Sequence, residues 1–124
     1  MITDFKYFSQ KDFDKCNPPC KLEEMSHEFV KKLDIARQIA SIPFRVTSGF
    51  RSEIWEKEQG RSGTSSHTKG IAIDLGATNS TDRYKIVSAL LSVGITRIGI
   101  GKTFIHADID KDKPQHLIWH YYGD

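Results

Sequence analysis

The chain has 124 residues, of which 38% are hydrophobic and 27% are charged, a composition typical of one globular domain. Eighteen basic residues against sixteen acidic ones leave a net charge of +2, too small to indicate a nucleic-acid-binding protein. No run of about 20 apolar residues predicts a membrane span, and no apolar segment near the first residue predicts a secretory signal. We therefore expect one monomeric domain over residues 1–124, made in the cytoplasm or exported by a route that its N terminus does not encode.

Helices dominate the predicted first half of the chain. A short helical turn is expected near residues 10–14. Apolar residues at helical spacing then predict a helix over Ser26–Ala40, with its first residue as the N-cap. Alternating β-type residues predict a strand at 44–48. Ser52 is a suitable cap for a further short helix, which Gly60 ends.

Two cysteines, Cys16 and Cys20, flank a pair of prolines. This spacing occurs in zinc sites, but those need two more ligands nearby, and none is present. We predict a pair of free thiols, with a local disulfide as the alternative.

The sequence pattern of the second half of the chain predicts a loop, a strand, a helix and then three more strands. A loop at 60–70 carries His67. Thr81 is the expected cap of a helix from about Asp82 to Val93, and Gly94 ends that helix. The predicted strands span residues 71–75, 96–100, 103–109 and 116–122. Short connections between the last three suit antiparallel hairpins, so the fold class is α+β, with a small, mostly antiparallel sheet packed with helices.

Residues of metal-ligand type share one face of two predicted strands. Side chains two apart on a strand point the same way, so His106 and Asp108 lie on the same face of their strand. Asp74 lies on the face of its own strand that is turned away from the aliphatic side chains. If these strands are neighbours, His67, Asp74 and His106 form a site with two histidines and one carboxylate. Three protein ligands with one open position are typical of catalytic zinc. Asp108 is the nearest candidate for a proton-accepting base.

Three motifs then resemble one family, the zinc D-Ala-D-Ala carboxypeptidases among the murein peptidases. Residues 65–74 read SSHTKGIAID and resemble its Ser-x-His-x-x-Gly-x-Ala-x-Asp motif. Residues 47–52 read TSGFRS and resemble its Ser-Gly-Tyr/Phe-Arg-Ser segment. Residues 99–108 read GIGKTFIHAD and resemble its closing strand, with a tryptophan further on at Trp119. The likeness runs from about Phe8 to Tyr122, in the compact form of phage lysins, and three ordered motifs are more specific than any one alone.

The resemblance implies the D-Ala-D-Ala carboxypeptidase/hedgehog fold and one zinc ion per chain, bound by His67, Asp74 and His106. It implies hydrolysis of an amide bond in the peptide stem of peptidoglycan, as a carboxypeptidase or an endopeptidase (endolysin) acting on the cell wall. It also implies that Arg51 binds the substrate carboxylate or steadies the scissile carbonyl, and an arginine fork suits either task. The alternative for Arg51 is an ion pair with Glu53 or Glu56.

The base is where the sequence departs from its relatives. Several branches of the family have an acidic residue three before the last histidine ligand, where this chain has Thr103. Others have a histidine two before that ligand, where this chain has Phe104. Asp108 is therefore the predicted base, although a carboxylate there could instead orient His106. The reserve candidates are Asp110, Glu53 and His120.

Simpler alternatives accompany these predictions. Trp55 and Trp119 suit a core or a cleft wall better than a sugar-stacking platform, and structural roles suit His116 and His120. For the whole chain, the alternative function is a non-catalytic, zinc-containing module that binds cell-wall peptide without cutting it. The departures at Thr103 and Phe104 are what support that alternative.

Overall fold

The computed structural model describes residues 5–122, in which the two longest helices pack on one face of a five-stranded sheet. Two 3-10 turns, Leu22–Glu24 and Ser66–Lys69, lie between the longer elements. None of the helices in residues 5–122 is long and apolar enough to cross a membrane. In chain order the elements are α1 (Gln10–Asp14), α2 (His27–Ala40), β1 (Val46–Ser48), α3 (Glu53–Glu58), β2 (Ala72–Gly76), α4 (Ser80–Ser92), β3 (Arg97–Ile100), β4 (Phe104–Asp108) and β5 (Leu117–His120).

The sheet has the strand order β1-β2-β4-β3-β5. Its first four strands pair antiparallel, which confirms the α+β class with a mostly antiparallel sheet. The prediction of an antiparallel hairpin between β4 and β5 is wrong, because β5 pairs with β3, and the pairing is parallel. The reason is that β2 and β3 already occupy both edges of β4, so the last strand crosses to the free edge of β3.

Side-chain caps set where the helices begin. Ser26 accepts a hydrogen bond from the backbone N–H of Phe29 at the start of α2, as predicted. Ser52 caps α3 in the same way, through the N–H of Trp55. The expected cap at Thr81 is wrong, because α4 begins two residues earlier than predicted, at Ser80. Asn79 is the cap, and its side chain accepts from Asp82 N at 2.8 Å.

The core lies between the sheet and helices α2 and α4. The sheet contributes Ile73 and Leu75 from β2 and Ile105 from β4, each fully buried. Fully buried apolar side chains of the two helices complete it, among them Phe29, Leu33 and Leu90. The alternation of β2 and β4 then leaves Asp74, His106 and Asp108 on the other face of the sheet.

The two cysteines are free and buried. The thiol of Cys16 lies 3.5 Å from the carbonyl of Asp12 and 3.8 Å from that of Val46. Burial raises the pKa of Cys16 to about 12, so this thiol stays protonated at neutral pH.

Candidate metal centre and active-site pocket

Strand pairing brings two of the predicted metal ligands together. Asp74 of β2 lies directly opposite His106 of β4, and Nδ1 of His106 is 3.0 Å from Asp74 Oδ1. The 3-10 turn that precedes β2 supplies His67, whose Nε2 lies 3.5 Å from the same carboxylate oxygen. One potential ligand atom from each of the three side chains lies within 4.8 Å of the other two.

The turn that carries His67 is fixed by a glycine. Gly70 ends it with a φ of +71°, and a Cβ there would lie 2.4 Å from the carbonyl oxygen of Glu24. Gly70 in turn accepts a hydrogen bond from the N–H of Ser26, at the start of α2. Only glycine fits this position, which explains the glycine of the sequence motif.

Hydrogen bonds on the far side of each ring orient the two imidazoles. Nδ1 of His67 lies 2.7 Å from the carbonyl oxygen of Gly49, which accepts only, so Nδ1 carries a proton and Nε2 faces Asp74. Nε2 of His106 lies 2.7 Å from Asp108 Oδ2 and donates to it. Carbonyl and carboxylate partners of this kind are typical behind metal-binding histidines.

The spacing of the three ligand atoms fits a divalent metal. Bonds of about 2.0–2.2 Å in a tetrahedron place neighbouring ligand atoms about 3.4 Å apart. The separations of 3.0 and 3.5 Å from Asp74 Oδ1 to the two ring nitrogens agree with that value. His67 and His106 are 3% and 8% exposed, so the ligands are held by the fold.

The charges of the cluster stabilise one another. Burial raises the pKa of Asp74, but hydrogen bonds from His106 and His67 outweigh burial and hold that pKa well below its usual range. Burial lowers the pKa of His106, but Asp108 and Asp74 outweigh it and raise the net pKa. The carboxylate of Asp74 is therefore ionised at neutral pH, as a metal ligand has to be.

Asp108 lies behind His106 and is held on both of its oxygens. Oδ1 accepts from Nε of Arg97 at 2.7 Å and from the backbone N–H of Asp110 at 3.0 Å, while Oδ2 accepts from His106. Burial raises the pKa of this carboxyl, and these donors lower it below its ordinary value. The contacts are those of a carboxylate that orients His106, and its role as the base stays a prediction.

Arg51 is 9% exposed and lies beside Asp74. Its Nη2 is 3.2 Å from Asp74 Oδ2, and its Nη1 is 3.4 Å from Oε2 of Glu56. Its Nε donates to Ser48 Oγ at 2.9 Å. The ion pair with Glu56, the alternative considered from the sequence, is thus present, and the role of Arg51 toward substrate stays a prediction.

An open pocket of about 470 Å³ surrounds the cluster. Phe104, Trp119 and Tyr121 form an aromatic side, and Trp119 lies 5.6 Å from the ring of His106. This agrees with the prediction of Trp119 as a cleft wall. The pocket is lined by Arg51, Arg61, Ser65, Ser66, His67, Asp74, Arg97, Phe104, His106, Asp108, Lys113, Trp119 and Tyr121.

The three reserve candidates for the base lie outside the lining of this pocket. Glu53 is exposed and pairs with Lys57 at 2.9 Å. Asp110 is buried, and Ser66 and Lys69 donate to it. The ring of His120 stacks on Tyr122, 5.7 Å away.

The sequence analysis missed Arg97 and the carbonyl of Gly49, which hold Asp108 and His67. Arg97 pairs with Asp108 and lies 4.9 Å above the ring of Trp119. It is the one charged residue of β3, and that isolated charge in an apolar strand was the available signal. The carbonyl of Gly49 carried no signal, because a backbone group is the same at every position.

Comparison with known proteins decides the family. A sequence profile of the Peptidase M15 family matches residues 7–109, a stretch that includes Arg51, His67, Asp74, His106 and Asp108. The chain belongs to the Peptidase M15 family. This confirms the family resemblance of the motifs, and members of the family are metallopeptidases. The protein is therefore a peptidase, an enzyme that hydrolyses amide bonds.

One solved structure shows the same fold. It is the L-Ala D-Glu endopeptidase ChiX of Serratia marcescens, similar over 89% of this chain and 96% of that chain with a TM-score of 0.54. At 20% sequence identity, the likeness concerns the fold. No curated protein sequence matches the chain significantly.

Proposed function

We propose that the protein is a zinc-dependent peptidase that hydrolyses an amide bond in the peptide stem of bacterial peptidoglycan, acting at the cell wall. The observation that carries this proposal is the convergence of His67 Nε2, His106 Nδ1 and Asp74 Oδ1 in the lining of an open pocket. Membership of a metallopeptidase family supports the activity. The similar fold of an L-Ala D-Glu endopeptidase supports the substrate class.

Two histidines and one carboxylate would hold the zinc ion. When bound, the ion supplies Lewis acidity and lowers the pKa of a water to about 7. Gly49 and Asp108 hold the protons on the far ring nitrogens, so that both lone pairs stay directed at the same point. Asp108 is thus proposed as the group that orients His106, with proton acceptance as the sequence-based alternative.

Arg51 is proposed to steady the scissile carbonyl. A guanidinium has five N–H groups, and three take part in the bonds to Ser48, Glu56 and Asp74. Two therefore remain for a substrate oxygen in the pocket that Arg51 lines. A fixed donor aimed at developing negative charge lowers the barrier without reorganisation.

The proposal is tested with His67→Ala. The purified protein and this variant are loaded with zinc, and the metal content and the cleavage of peptidoglycan fragments are measured together. We expect about one zinc per chain and cleavage in the first protein, and loss of both in the variant, because two ligands hold zinc poorly. A variant that still cleaves without metal contradicts the proposal. Zinc binding without cleavage by the unmodified protein would favour the non-catalytic module.

A further inference from the structure

The pocket has two chemically different ends, with the candidate metal ligands between them. On one side, the ring of His106 adjoins Trp119, which adjoins Tyr121. On the other side, Arg51 contacts Asp74 and lies near the ring of Trp55. The aromatic end also carries Arg97, which is paired with Asp108, and the end toward α3 is the cationic one.

A second arginine lies at the cationic end. The guanidinium of Arg51 is 5.7 Å from the centre of the Trp55 ring, and that of Arg61 is 5.8 Å from the same ring. Arg61 is exposed and lines the pocket. The two guanidinium groups share one aromatic side chain, so they lie on the same side of the site.

The positive charges of the pocket differ in how far they are neutralised. Arg51 is bonded to two carboxylates, and Arg97 is bonded to Asp108. Lys113 lies 3.7 Å from Asp110 and donates to Ser66. Across residues 5–122, by contrast, the side chain of Arg61 forms no ion pair and no hydrogen bond. All five N–H groups of its guanidinium are therefore available to a ligand.

The backbone fixes Arg61 at this position. Its N–H donates to the carbonyl of Glu56 at 2.9 Å. Gly60 precedes it with a φ of +80° and donates to the carbonyl of Lys57 at 3.0 Å. The chain thus turns back at the end of α3 and directs Arg61 toward the pocket. Contact with the ring of Trp55 further limits the conformations that the Arg61 side chain adopts.

We propose that Arg61 binds a free carboxylate of the substrate peptide, so that the enzyme prefers an acidic stem peptide to its amidated counterpart. This inference rests on the proposed function. An arginine fork recognises a carboxylate through two parallel hydrogen bonds, which a carboxamide cannot accept equally. The carboxylate would lie toward α3, and the less charged part of the peptide would lie against Trp119 and Tyr121.

Binding of matched peptides tests this inference without turnover. The peptides are synthetic stem peptides whose glutamyl carboxylate, or whose C-terminal carboxylate, is either free or amidated. Dissociation constants are measured by calorimetry on the chain freed of metal, and KM and kcat are measured on the zinc-loaded chain. We expect the free acid to bind about tenfold tighter at one of the two positions, as for a charge-assisted pair.

Three variants complete the test. Arg61→Gln is expected to remove the preference, raising KM about tenfold for the acidic peptide while kcat stays within about twofold. Arg61→Lys is expected to retain only part of the preference for the acidic peptide, because an ammonium group cannot form the two parallel hydrogen bonds of a guanidinium. Lys57→Gln is the matched control, because Lys57 is an exposed cation of α3 that pairs with Glu53 outside the pocket. It is expected to leave the preference unchanged.

Equal binding of acid and amide at both positions overturns the inference, as does a preference that survives Arg61→Gln. A preference that Arg61→Gln removes supports it, even if no peptide is cut. In that last case the proposed function fails and the carboxylate site stands, so the two failures are distinguishable.

Discussion

At the scale of single residues, Asp108 decides how the second histidine ligand is held. Its Oδ2 accepts a hydrogen bond from Nε2 of His106, and its Oδ1 accepts one from Nε of Arg97. Changing such a partner of a metal ligand typically costs 10- to 100-fold in metal affinity. We predict that Asp108→Asn weakens zinc binding by about that factor, measured by competition with a chromophoric chelator.

The control for this prediction is Asp112→Asn. The side chain of Asp112 is 85% exposed and pairs with Lys69, so its loss should leave zinc affinity unchanged. If Asp108→Asn instead abolishes turnover at unchanged zinc affinity, the carboxylate is the base and not the orienting group.

Gly99 is a second residue with a predictable effect. It lies opposite His106 on β3, and a Cβ there would meet Trp119 Nε1 and a ring carbon of Tyr121, each at 2.7 Å. We predict that Gly99→Ala pushes both rings out of place and costs about 1–3 kcal/mol of stability, as overpacking does. Near-ultraviolet circular dichroism and urea unfolding measure the two effects. An unchanged aromatic spectrum with wild-type stability would contradict the packing described for this wall.

At the scale of elements, several hydrogen bonds link the turn of His67 to the β4–β5 connection. Ser66 donates to Asp110 at 2.6 Å, and both side chains are buried. Lys113 donates to Ser66 at 2.9 Å. We predict that Ser66→Ala lowers stability by about 1–3 kcal/mol, because it removes one of the donors to a buried carboxylate. Thermal unfolding measures this loss, with Ser62→Ala in the exposed part of the same loop as the control.

The same link predicts a dependence of stability on pH. Burial raises the pKa of Asp110, but hydrogen bonds from Ser66 and Lys69 outweigh burial and lower it to about 2. The unfolded value is about 3.9, so the folded state binds this proton less readily than the unfolded state. The resulting stabilisation is complete above about pH 4 and is lost as the pH falls toward 2.

Urea unfolding between pH 2 and pH 6 tests this prediction. We expect Asp110→Asn to flatten the fall in stability at the acidic end, although it lowers stability at neutral pH. A slope that is the same in the variant would show that other carboxylates cause the acid sensitivity.

At the scale of the whole molecule, the sequence predicted local features better than strand partners. Strand alternation correctly placed His106 and Asp108 on one face, because the period of two is a property of one strand. The same reasoning failed for β5, because the choice between β3 and β4 depends on which edges are free. Sheet order is a non-local property, and residues 110–115 carry no signal of the crossing.

The candidate site divides in the same way. Residue types and motifs pointed to His67, Asp74 and His106 as a cluster, and the fold brings their ligand atoms within 4.8 Å. The contacts of Arg51 with two carboxylates, and the freedom of Arg61, depend on where the fold places Glu56 of α3 and Asp74 of β2. No local sequence pattern predicts which of the two arginines is paired with carboxylates, so only the structure distinguishes Arg51 from Arg61.

The central claim is that the cluster of His67, Asp74 and His106 makes this chain a zinc-dependent peptidase of peptidoglycan stem peptides. Mass spectrometry of purified peptidoglycan fragments tests it most directly, after incubation with the protein alone, with a chelator, and with the chelator followed by excess zinc. We predict that one stem-peptide bond is cut, that the chelator stops cleavage and that zinc restores it, with the mass change naming the bond. Intact fragments in the presence of protein that holds one zinc per chain would contradict the claim.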